Sequence, residues 1–474
     1  MTAIELERIN LKDVGLCRYK KLGGRYLLTN DIGDSLFLGE KEFTDFIESR
    51  LDKNSLVHKA LNERNFVYST IDKDAVALKY REKYGHIRRG TSLHIVIPTL
   101  RCNHRCIYCH AEARPYTEKG YDMDKETARK VVDTIFESPS PHITIEFQGG
   151  EPLLNWDVVV YIIQYASKIN RKLKRSLSFV LVSNLTLMTK EMLRLLLRKG
   201  VSVCTSLDGP KFIHDRNRPM IDGRSGYELT TRWIKEVSNI RPGFSSALST
   251  LTNYSLNYPE EIINEYLKFG MFHIPLRPIS VLGFAGARRG EIGITAEQFL
   301  NFYRYSLDYI IELSFVTEQN ITERMAKICL RKIFGLQGSD YMDMRSPCGA
   351  GCGQLAYFYD GSVYTCDEAR MLGEDSFKLG NVKLNSYQEL MQSSQMKASV
   401  FASCLDGLYC DYCVYKPYCG VCPVVNWKEC GSIYAKPKSA FMCKIYQGIF
   451  DCVFQALQDK SKARILKSWI GMAA

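Results

Sequence analysis

Two hydrophobic periods alternate along this chain. Residues 25–31 (RYLLTND) and 34–40 (DSLFLGE) are short apolar runs with a turn signal at Asp31–Gly33, which predicts two paired strands. Phe43, Phe46, Ile47 and Leu51 then recur at helical spacing, and Leu56, Val57, Ala60 and Leu61 mark a second helix. Residues 1 to about 70 therefore read as a small β-β-α-α unit, and residues 71–90 as a charged helical linker. From about residue 92 the pattern changes. SLHIVIPT (92–99), HITIEFQ (142–148), FVLVSN (179–184), VSVCTSLD (201–208), SSALSTLT (245–252) and FHIPLRPI (272–279) are strand-like runs separated by helical stretches. One such stretch, Thr189–Lys199, sets Leu193, Leu196 and Leu197 on one face and stops at Gly200. Six strands alternating with helices predict an α/β fold with a parallel sheet, closed or partly closed into a barrel. In such a barrel the chemistry sits at the carboxyl ends of the strands. Residues 295–345 read as mostly helical, a cysteine-rich stretch of little periodicity follows to about 452, and Ile449–Ile470 reads as a closing helix.

Composition narrows the class. With 474 residues the chain is too long for one core. Its 46% hydrophobic and 24% charged residues are those of a soluble globular protein. No uninterrupted apolar run is long enough to span a bilayer, so no membrane contact is expected. Met1 to Lys12 mixes acidic, apolar and basic residues, unlike a secretory signal or a transit peptide, so the expected location is the cytoplasm. The formal charge of +11 raises nucleic acid as a partner. The basic residues are scattered, however, with modest clusters at Lys79–Arg89 and Lys172–Arg175. That pattern favours a solvated surface, and an acidic peptide would use the same charge.

Seventeen cysteines change the picture. In a large chain without a secretory signal they suggest metal in place of disulfides. After the first strand comes RCNHRCIYCHAEARP, in which Cys102, Cys106 and Cys109 are spaced C-x3-C-x2-C. Thiolates are the usual ligands of iron–sulfur clusters, and three ligands on a four-iron cluster leave one iron open to a substrate or cofactor. The competing reading is a zinc knot, with His104 or His110 as a fourth ligand.

The C-x3-C-x-aromatic-C pattern, with Tyr108 before the third cysteine, resembles the signature of the radical S-adenosylmethionine (SAM) superfamily. The resemblance implies a partial (β/α)6 TIM-like barrel and a [4Fe–4S] cluster whose open iron chelates SAM. It also implies reductive cleavage of SAM to a 5′-deoxyadenosyl radical that abstracts hydrogen. QGGEP, with Gln148, Gly149, Gly150 and Glu151, resembles the motif that holds the methionine amino group. Ser183 and Asn184 fall where ribose contacts are expected, although Leu185 replaces the glycine common in the family. SLDGPKFIHDRNRP (206–219) resembles a segment of sulfatase-maturing and peptide-maturing members, in which Ser206 would contact the cofactor and Arg218 its carboxylate.

The second cysteine group resembles a SPASM domain. Cys348, Gly361 and Cys366 are followed by Cys410, Cys413, Cys419, Cys422 and Cys443; the family leaves three residues between the members of the pair that here is Cys419 and Cys422, and this chain leaves two. Two auxiliary [4Fe–4S] clusters take four thiolates each when fully coordinated. The resemblance implies Cys348, Cys352, Cys366 and Cys422 for one and Cys410, Cys413, Cys419 and Cys443 for the other, three clusters in all. Cys352 could instead be a spare thiol, and paired zinc ribbons are the competing reading of the whole group. Cys17, Cys204, Cys329 and Cys452 lie in apolar runs and read as small buried hydrophobes, whereas Cys404 and Cys430 are open. Asp367 follows Cys366, where sulfatase-maturing enzymes carry a proton-accepting aspartate. A carboxylate beside an anionic cluster is expected to resist ionising.

Across nearly the whole chain the pattern resembles the His-Xaa-Ser system radical SAM maturases. The implied organisation is a small winged recognition-like module with its linker (1–90), a barrel (91–315), a helical bridge (316–345) and a SPASM domain with a closing helix (346–474). The implied substrate is a ribosomally made peptide or small protein, held through a leader segment as an added strand. A flavodoxin or ferredoxin would donate electrons, and a partner maturase could assist. The implied reaction is a crosslink, an epimerisation or an oxidation. The alternatives are an anaerobic sulfatase-maturing enzyme forming formylglycine, a non-catalytic iron–sulfur or zinc scaffold, and, on charge alone, a nucleic-acid-modifying radical enzyme.

Overall fold

A strand packed on both faces reads as a near-continuous apolar run, and residues 93–99 form one. This strand, β4 (Leu93–Thr99), is buried along six of its seven residues. The structure is a computed structural model and describes residues 13–241, 243, 245–335, 344–406, 409–434 and 440–472. The Met1–Lys12 segment lies outside them. Beside β4 stands β5 (His142–Gly149), followed by β6 (Ser176–Val182), β7 (Ser202–Ser206) and β8 (Ser245–Leu248), each parallel to the last. These four alternate. Ile143, Ile145 and Phe147 are buried, whereas Glu146 and Gln148 are half-buried on the other face. On β7, Val203 and Thr205 are buried and Cys204 and Ser206 are not. One face of the sheet is thus packed by helices, and the other lines a polar hollow. The helix Lys190–Lys199 forms as expected, capped by Thr189, whose Oγ1 accepts from the Met192 amide, and ended by Gly200 at φ 65°.

Two expectations change here. The sixth strand is nearly absent: in the FHIPLRPI run only His273–Ile274 pair, and they pair with Thr322–Glu323. A single bridge, Leu251 to Pro278, links the run to the sheet side. Pro275 and Pro278 lack an N–H and interrupt the ladder. The cysteine-rich stretch, in turn, is not apart from the sheet. Its strand β9 (Gln354–Tyr357) pairs parallel to β4, and β10 (Ser362–Tyr364) and β11 (Lys378–Asn381) continue antiparallel. The result is an eight-stranded mixed sheet in the order β8-β7-β6-β5-β4-β9-β10-β11.

The N-terminal unit gains a strand. β1 (Arg18–Leu22) pairs with β2 (Arg25–Thr29) through the Gly23–Gly24 turn, and β2 pairs with β3 (Ser35–Leu38). The unit is β-β-β-α-α, with helices Glu40–Ile47 and Leu56–Glu63. The charged RYKKL run hides β1 in the sequence, because Arg18 and Lys20 turn towards acidic partners. Arg18 meets Asp31 at 2.8 Å and Lys20 meets Asp451 at 2.6 Å. Thr29 donates to the Val414 carbonyl at 2.6 Å and the Tyr418 hydroxyl to the Gly33 carbonyl at 2.9 Å. These bonds seat the unit on the Cys410–Cys419 loop. No helix among the described residues is long and apolar enough to cross a membrane.

His94 carries a pH prediction. Fully buried in β4, its Nε2 donates to the Thr91 carbonyl (3.2 Å), which leaves Nδ1 to accept from the Tyr357 hydroxyl (3.0 Å). The ring is therefore neutral, and burial pushes its pKa down to about 3. An unfolded histidine titrates near ~6.5. Below that pH the unfolded chain binds a proton that the folded chain refuses. The contribution is fully present above ~6.5 and is lost as pH falls towards the folded value, by about 1.4 kcal/mol per pH unit. Denaturant unfolding at pH 7 and pH 5 should show this loss, and His94→Gln should flatten it by that slope.

Candidate active site

The sequence motifs meet at the carboxyl ends of β4 to β8. Beyond β4, the Thr99 hydroxyl accepts from the Arg101 amide at 2.9 Å and starts the cysteine loop. The Cys109 amide donates to the Cys106 carbonyl (3.1 Å), and the Arg105 and Ile107 amides donate to the Pro219 and Asn217 carbonyls (2.8 and 2.9 Å). The loop is therefore pinned to the segment after β7. The Cys102 sulfur accepts from the His104 amide at 3.4 Å and has the Asn184 amide group at 4.0 Å.

QGGEP ends β5 directly against that loop. The Gly150 and Glu151 amides donate to the Thr99 and Arg101 carbonyls (2.9 and 2.7 Å). A Cβ on Gly150 would stand 2.3 Å from the Arg101 oxygen, and one on Gly149, whose φ is +126°, 2.4 Å from the Thr99 oxygen. The close approach made by these glycines is to the neighbouring strand end. Glu151 is fully buried; its carboxylate accepts from the Ser183 hydroxyl (2.7 Å), the Asn184 amide (2.8 Å) and the Leu153 amide (3.1 Å). A carboxylate has about four lone-pair directions, so roughly one is left for a ligand. Burial raises its pKa, against those donors. Asn184 also donates to Asn103 at 2.9 Å. Leu185, the departure from the family glycine, keeps a left-handed backbone at φ 62° while its side chain is fully buried. The strain, about 1–2 kcal/mol for a non-glycine residue, is offset by burying a leucine, about 1.5–3 kcal/mol.

Tyr108 is buried and linked to two groups. Its hydroxyl donates to Asp208 Oδ2 at 2.6 Å and accepts from Arg218 Nη1 at 2.8 Å. Asp208, the third residue of the SLDGP segment, also accepts from the Thr250 amide (3.2 Å) and Asn217 Nδ2 (3.2 Å). Arg218 Nε is buried with no partner. Burial pushes the Cys106 thiol up to about 12, and the Arg218 charge works against that shift. Cys102 is raised by burial and then by the charges of Cys106 and Glu151. Ser206 ends β7 half-buried, opposite Leu248, and Gln148 donates to Glu146.

The other cysteines fall into groups that feel one another's charge. Cys366 is raised by burial, Glu368, Cys422 and Cys348. Cys410 is pushed up to about 12 by burial, Cys443 and Cys413, and Cys419 is raised by burial, Cys413, Cys443 and Cys410. Cys352 stands apart: its charged neighbours are Arg345 and Cys404, and its thiol donates to the Cys348 carbonyl at 3.2 Å. Among the described residues no three His, Cys, Asp or Glu side chains gather around one metal ion. Cys329 and Cys452 are buried in the core as expected, but Cys204 is not. It sits half-buried on the inner face of β7, within the fields of Glu146, Arg324 and Arg277.

Asp367 is buried and bonded to Arg370, whose Nε donates to its Oδ1 at 2.7 Å. Arg370 thus stands beside this carboxylate as a counter-ion. Arg370 Nη1 reaches the Ala111 carbonyl at 3.5 Å, which joins the Cys366 loop to the Cys109 loop. His110 is pushed down to about 3 by burial and then by Arg277, Arg370 and Arg218. A cavity of about 170 Å³ runs between Leu276–Leu282 and the cysteine-rich loops. Cys410, Cys413, Cys419, Cys422 and Cys443 line one end, and Arg277 stands on its wall.

Residues 96–271 match the radical SAM superfamily. An uncharacterized protein of Methanothermobacter thermautotrophicus is 32% identical over 245 residues, which are 50% of this chain and 87% of that protein. The chain belongs to the radical SAM superfamily. A radical SAM cyclopropyl synthase, TigE, of Paramaledivibacter caminithermalis is 23% identical over 447 residues, 89% of this chain and 84% of that one. Among solved structures, native anSMEcpe with bound AdoMet superposes with a TM-score of 0.67 at 19% identity, over 78% of this chain and 99% of that one. Streptococcus suis SuiB bound to precursor peptide SuiA gives 0.54 at 12% identity, over 90% and 99%. These superpositions establish a shared radical SAM fold. As a member of the superfamily the protein is an enzyme that binds SAM and a [4Fe–4S] cluster, and its relatives include peptide-modifying and sulfatase-maturing radical SAM enzymes.

Proposed function

We propose that this protein is a peptide maturase: it cleaves SAM at a cluster held by Cys102, Cys106 and Cys109 and modifies a ribosomally made peptide or protein in the cavity between barrel and cysteine-rich region. The observation that carries the reading is a pair of bonded groups held by the one cysteine loop: Glu151 with Ser183 and Asn184, which reaches Asn103, and Asp208 with Tyr108 and Arg218. Three thiols on one loop, a sulfur accepting a backbone amide and a buried arginine with an unpartnered N–H fit an anionic cluster and a carboxylate-bearing cofactor. When bound, the cluster and SAM supply a 5′-deoxyadenosyl radical for hydrogen abstraction. The chain's own residues orient and enclose them. Arg218 offers Nε to the SAM carboxylate, Glu151 fixes Ser183 and Asn184 for the ribose, and Gln148 and Ser206 face the hollow.

We assign Cys348, Cys366 and Cys422, with Cys352, to one auxiliary [4Fe–4S] cluster, and Cys410, Cys413, Cys419 and Cys443 to a second. Asp367, held by Arg370, is the base. The N-terminal unit would take a leader as an added strand, since β1 and β3 each pair with β2 alone among the described residues. Structures of this fold hold peptides, SuiB its precursor peptide SuiA and anSMEcpe the peptide Cp18Cys, which supports a peptide substrate. We retain the division at residues 90, 315 and 345, a flavodoxin or ferredoxin as electron donor, a partner maturase and a cytoplasmic location as parts of this reading.

Anaerobic reconstitution tests it. About twelve irons per chain, with dithionite-dependent 5′-deoxyadenosine, are expected; zinc in their place, or intact SAM under every reductant, would overturn it. In the same preparation Arg218→Gln should keep its iron and weaken SAM binding by about ten- to hundred-fold, the worth of a charged hydrogen bond of about 1.5–3 kcal/mol. Equilibrium dialysis with labelled SAM reads the difference.

A further inference from the structure

Three of the four thiols assigned to the second auxiliary cluster, Cys410, Cys413 and Cys419, share one loop, and with Cys443 they line one end of the cavity. Within itself this loop is a run of single turns. The Cys413 amide donates to the Cys410 carbonyl (3.0 Å), Lys416 to Cys413 (2.9 Å) and Cys419 to Tyr415 (3.0 Å). Turns of this kind leave other backbone and side-chain groups to find partners elsewhere. The partners come from the N-terminal unit. Arg18 of β1 is only 6% exposed. Its Nε donates to the Asp411 carbonyl and its Nη2 to Asp411 Oδ1 at 3.3 Å, so one guanidinium holds both backbone and side chain of the residue after Cys410. The same Nη2 meets Asp31 Oδ1 at 2.8 Å. Lys416, also buried, closes the set from the loop side, bonded to Asp411, to Asp406 at 2.5 Å and to Asp31 at 3.5 Å. Thr29 holds the carbonyl of Val414, directly after Cys413, and Tyr418, directly before Cys419, donates to the Gly33 carbonyl. Each of the three loop cysteines is therefore next in the chain to a residue bonded to the N-terminal unit. Removing one partner of a buried ion pair costs more than the pair contributes, because the other charge stays buried. Groups that hold metal ligands in place typically change metal affinity by about ten- to hundred-fold.

We propose that the N-terminal unit is part of the second auxiliary cluster's site, with Arg18 as a positioning residue. Arg18 fixes the Cys410–Cys413 turn, so this cluster is retained only while the unit is seated on the loop. The role is separate from any leader binding by the unit, and it rests on the reading of Cys410, Cys413, Cys419 and Cys443 as ligands of one cluster. Linkage makes it reciprocal: the cluster stabilises the seat of the unit by as much as the unit stabilises the cluster.

Full-length wild type, Arg18→Gln, Arg18→Lys and Lys21→Gln are reconstituted without oxygen, and iron and sulfide are counted. Lys21 lies on the same strand but pairs with Glu40 on the surface. Wild type and Lys21→Gln should hold about twelve irons and Arg18→Gln about eight. Arg18→Lys, which keeps the charge and loses the paired donors, should fall between them. 5′-Deoxyadenosine formation should persist in all four, because Arg18 is bonded to the other cysteine loop. A second measurement leaves Arg18 in place. Hydrogen exchange over residues 18–38 is compared between the wild-type holoenzyme and a Cys410→Ala, Cys413→Ala double variant, which keeps Arg18, Asp31 and Asp411. Exchange there should be about ten-fold faster once the cluster is lost, a dependence that a contact unrelated to the cluster would not show. Twelve irons in Arg18→Gln, an iron loss spread over all three clusters, or unchanged exchange in a double variant that has lost about four irons would overturn the proposal. A double variant that keeps every iron would instead sink the four-thiol reading, so the two failures are distinguishable.

Discussion

Replacing Cys102, Cys106 and Cys109 together by alanine removes about four of about twelve irons and abolishes 5′-deoxyadenosine formation, while the auxiliary absorbance remains. The three thiols share one loop, and it is held by backbone bonds that alanine keeps: Cys109 to Cys106, Arg105 to Pro219 and Ile107 to Asn217. Those bonds do not need the sulfurs, so the loop and the fold survive the change. The other two thiol groups lie on Cys348–Cys422 and Cys410–Cys443, outside this loop, and keep their ligands. The loss of activity is expected to be complete, because the loop that carries these thiols also carries Asn103 and Tyr108, bonded to Asn184 and to Arg218. Iron and sulfide counts with a chromatographic assay for deoxyadenosine check it. A variant that still forms deoxyadenosine would move the reacting cluster to another cysteine group.

The second large effect comes from one methyl group. Gly150→Ala is expected to destabilise the protein by more than about 4 kcal/mol, the range reached only when core or backbone geometry fails. Its Cβ would lie 2.3 Å from the Arg101 oxygen and 2.4 Å from the Leu100 oxygen, both backbone atoms of the segment leading into Cys102. No rotamer relieves a clash between Cβ and backbone. The strand ends must part, which breaks the bonds from Gly150 to Thr99 and from Glu151 to Arg101 and shifts Cys102 with them. The same separation frees Glu151 from Ser183 and Asn184, so cluster loading should fall with stability. Urea unfolding of the apo protein and iron counts after reconstitution should move together. Gly200→Ala is the control: nothing lies within 4 Å of its Cβ, and its cost is only that of a left-handed residue, about 1–2 kcal/mol. Equal stabilities for the two variants would show that the close approach at Gly150 does not exist.

Much of the barrel was legible because its elements are local. β4 announces itself by an unbroken apolar run, β5 and β7 by alternation, and the Lys190–Lys199 helix by its cap, stripe and terminal glycine. The sixth strand misled for the opposite reason: its side chains read as strand, but Pro275 and Pro278 deny it the ladder, and pairing is a matter of backbone donors. β1 was missed because its charges look like surface. They are satisfied across the molecule, by Asp31 and by Asp451 in the helix Phe441–Ala456, which with Lys460–Ser468 replaces the single closing helix expected over Ile449–Ile470; sequence separation conceals these partners.

Sequence by itself determined the chemistry-bearing groups. Cysteine spacing within a short loop is enough to mark a thiolate cluster, since the ligands and the turn that presents them are consecutive. It also marked the Gly-Gly-Glu strand end and the Ser183–Asn184 pair. Tertiary structure decided what joins them. Asp208 became visible only when β7 brought it under Tyr108, and Glu151 proved to be the brace of two strands, its oxygens bonded inside the protein. The reach of Arg370 to the Ala111 carbonyl and the addition of β9 to the barrel sheet depend on segments far apart in sequence. Local hydrogen bonding and side-chain periodicity are written in neighbouring residues. Long-range charge pairing and desolvation depend on which segments the chain folds together, and these set the state of a buried group.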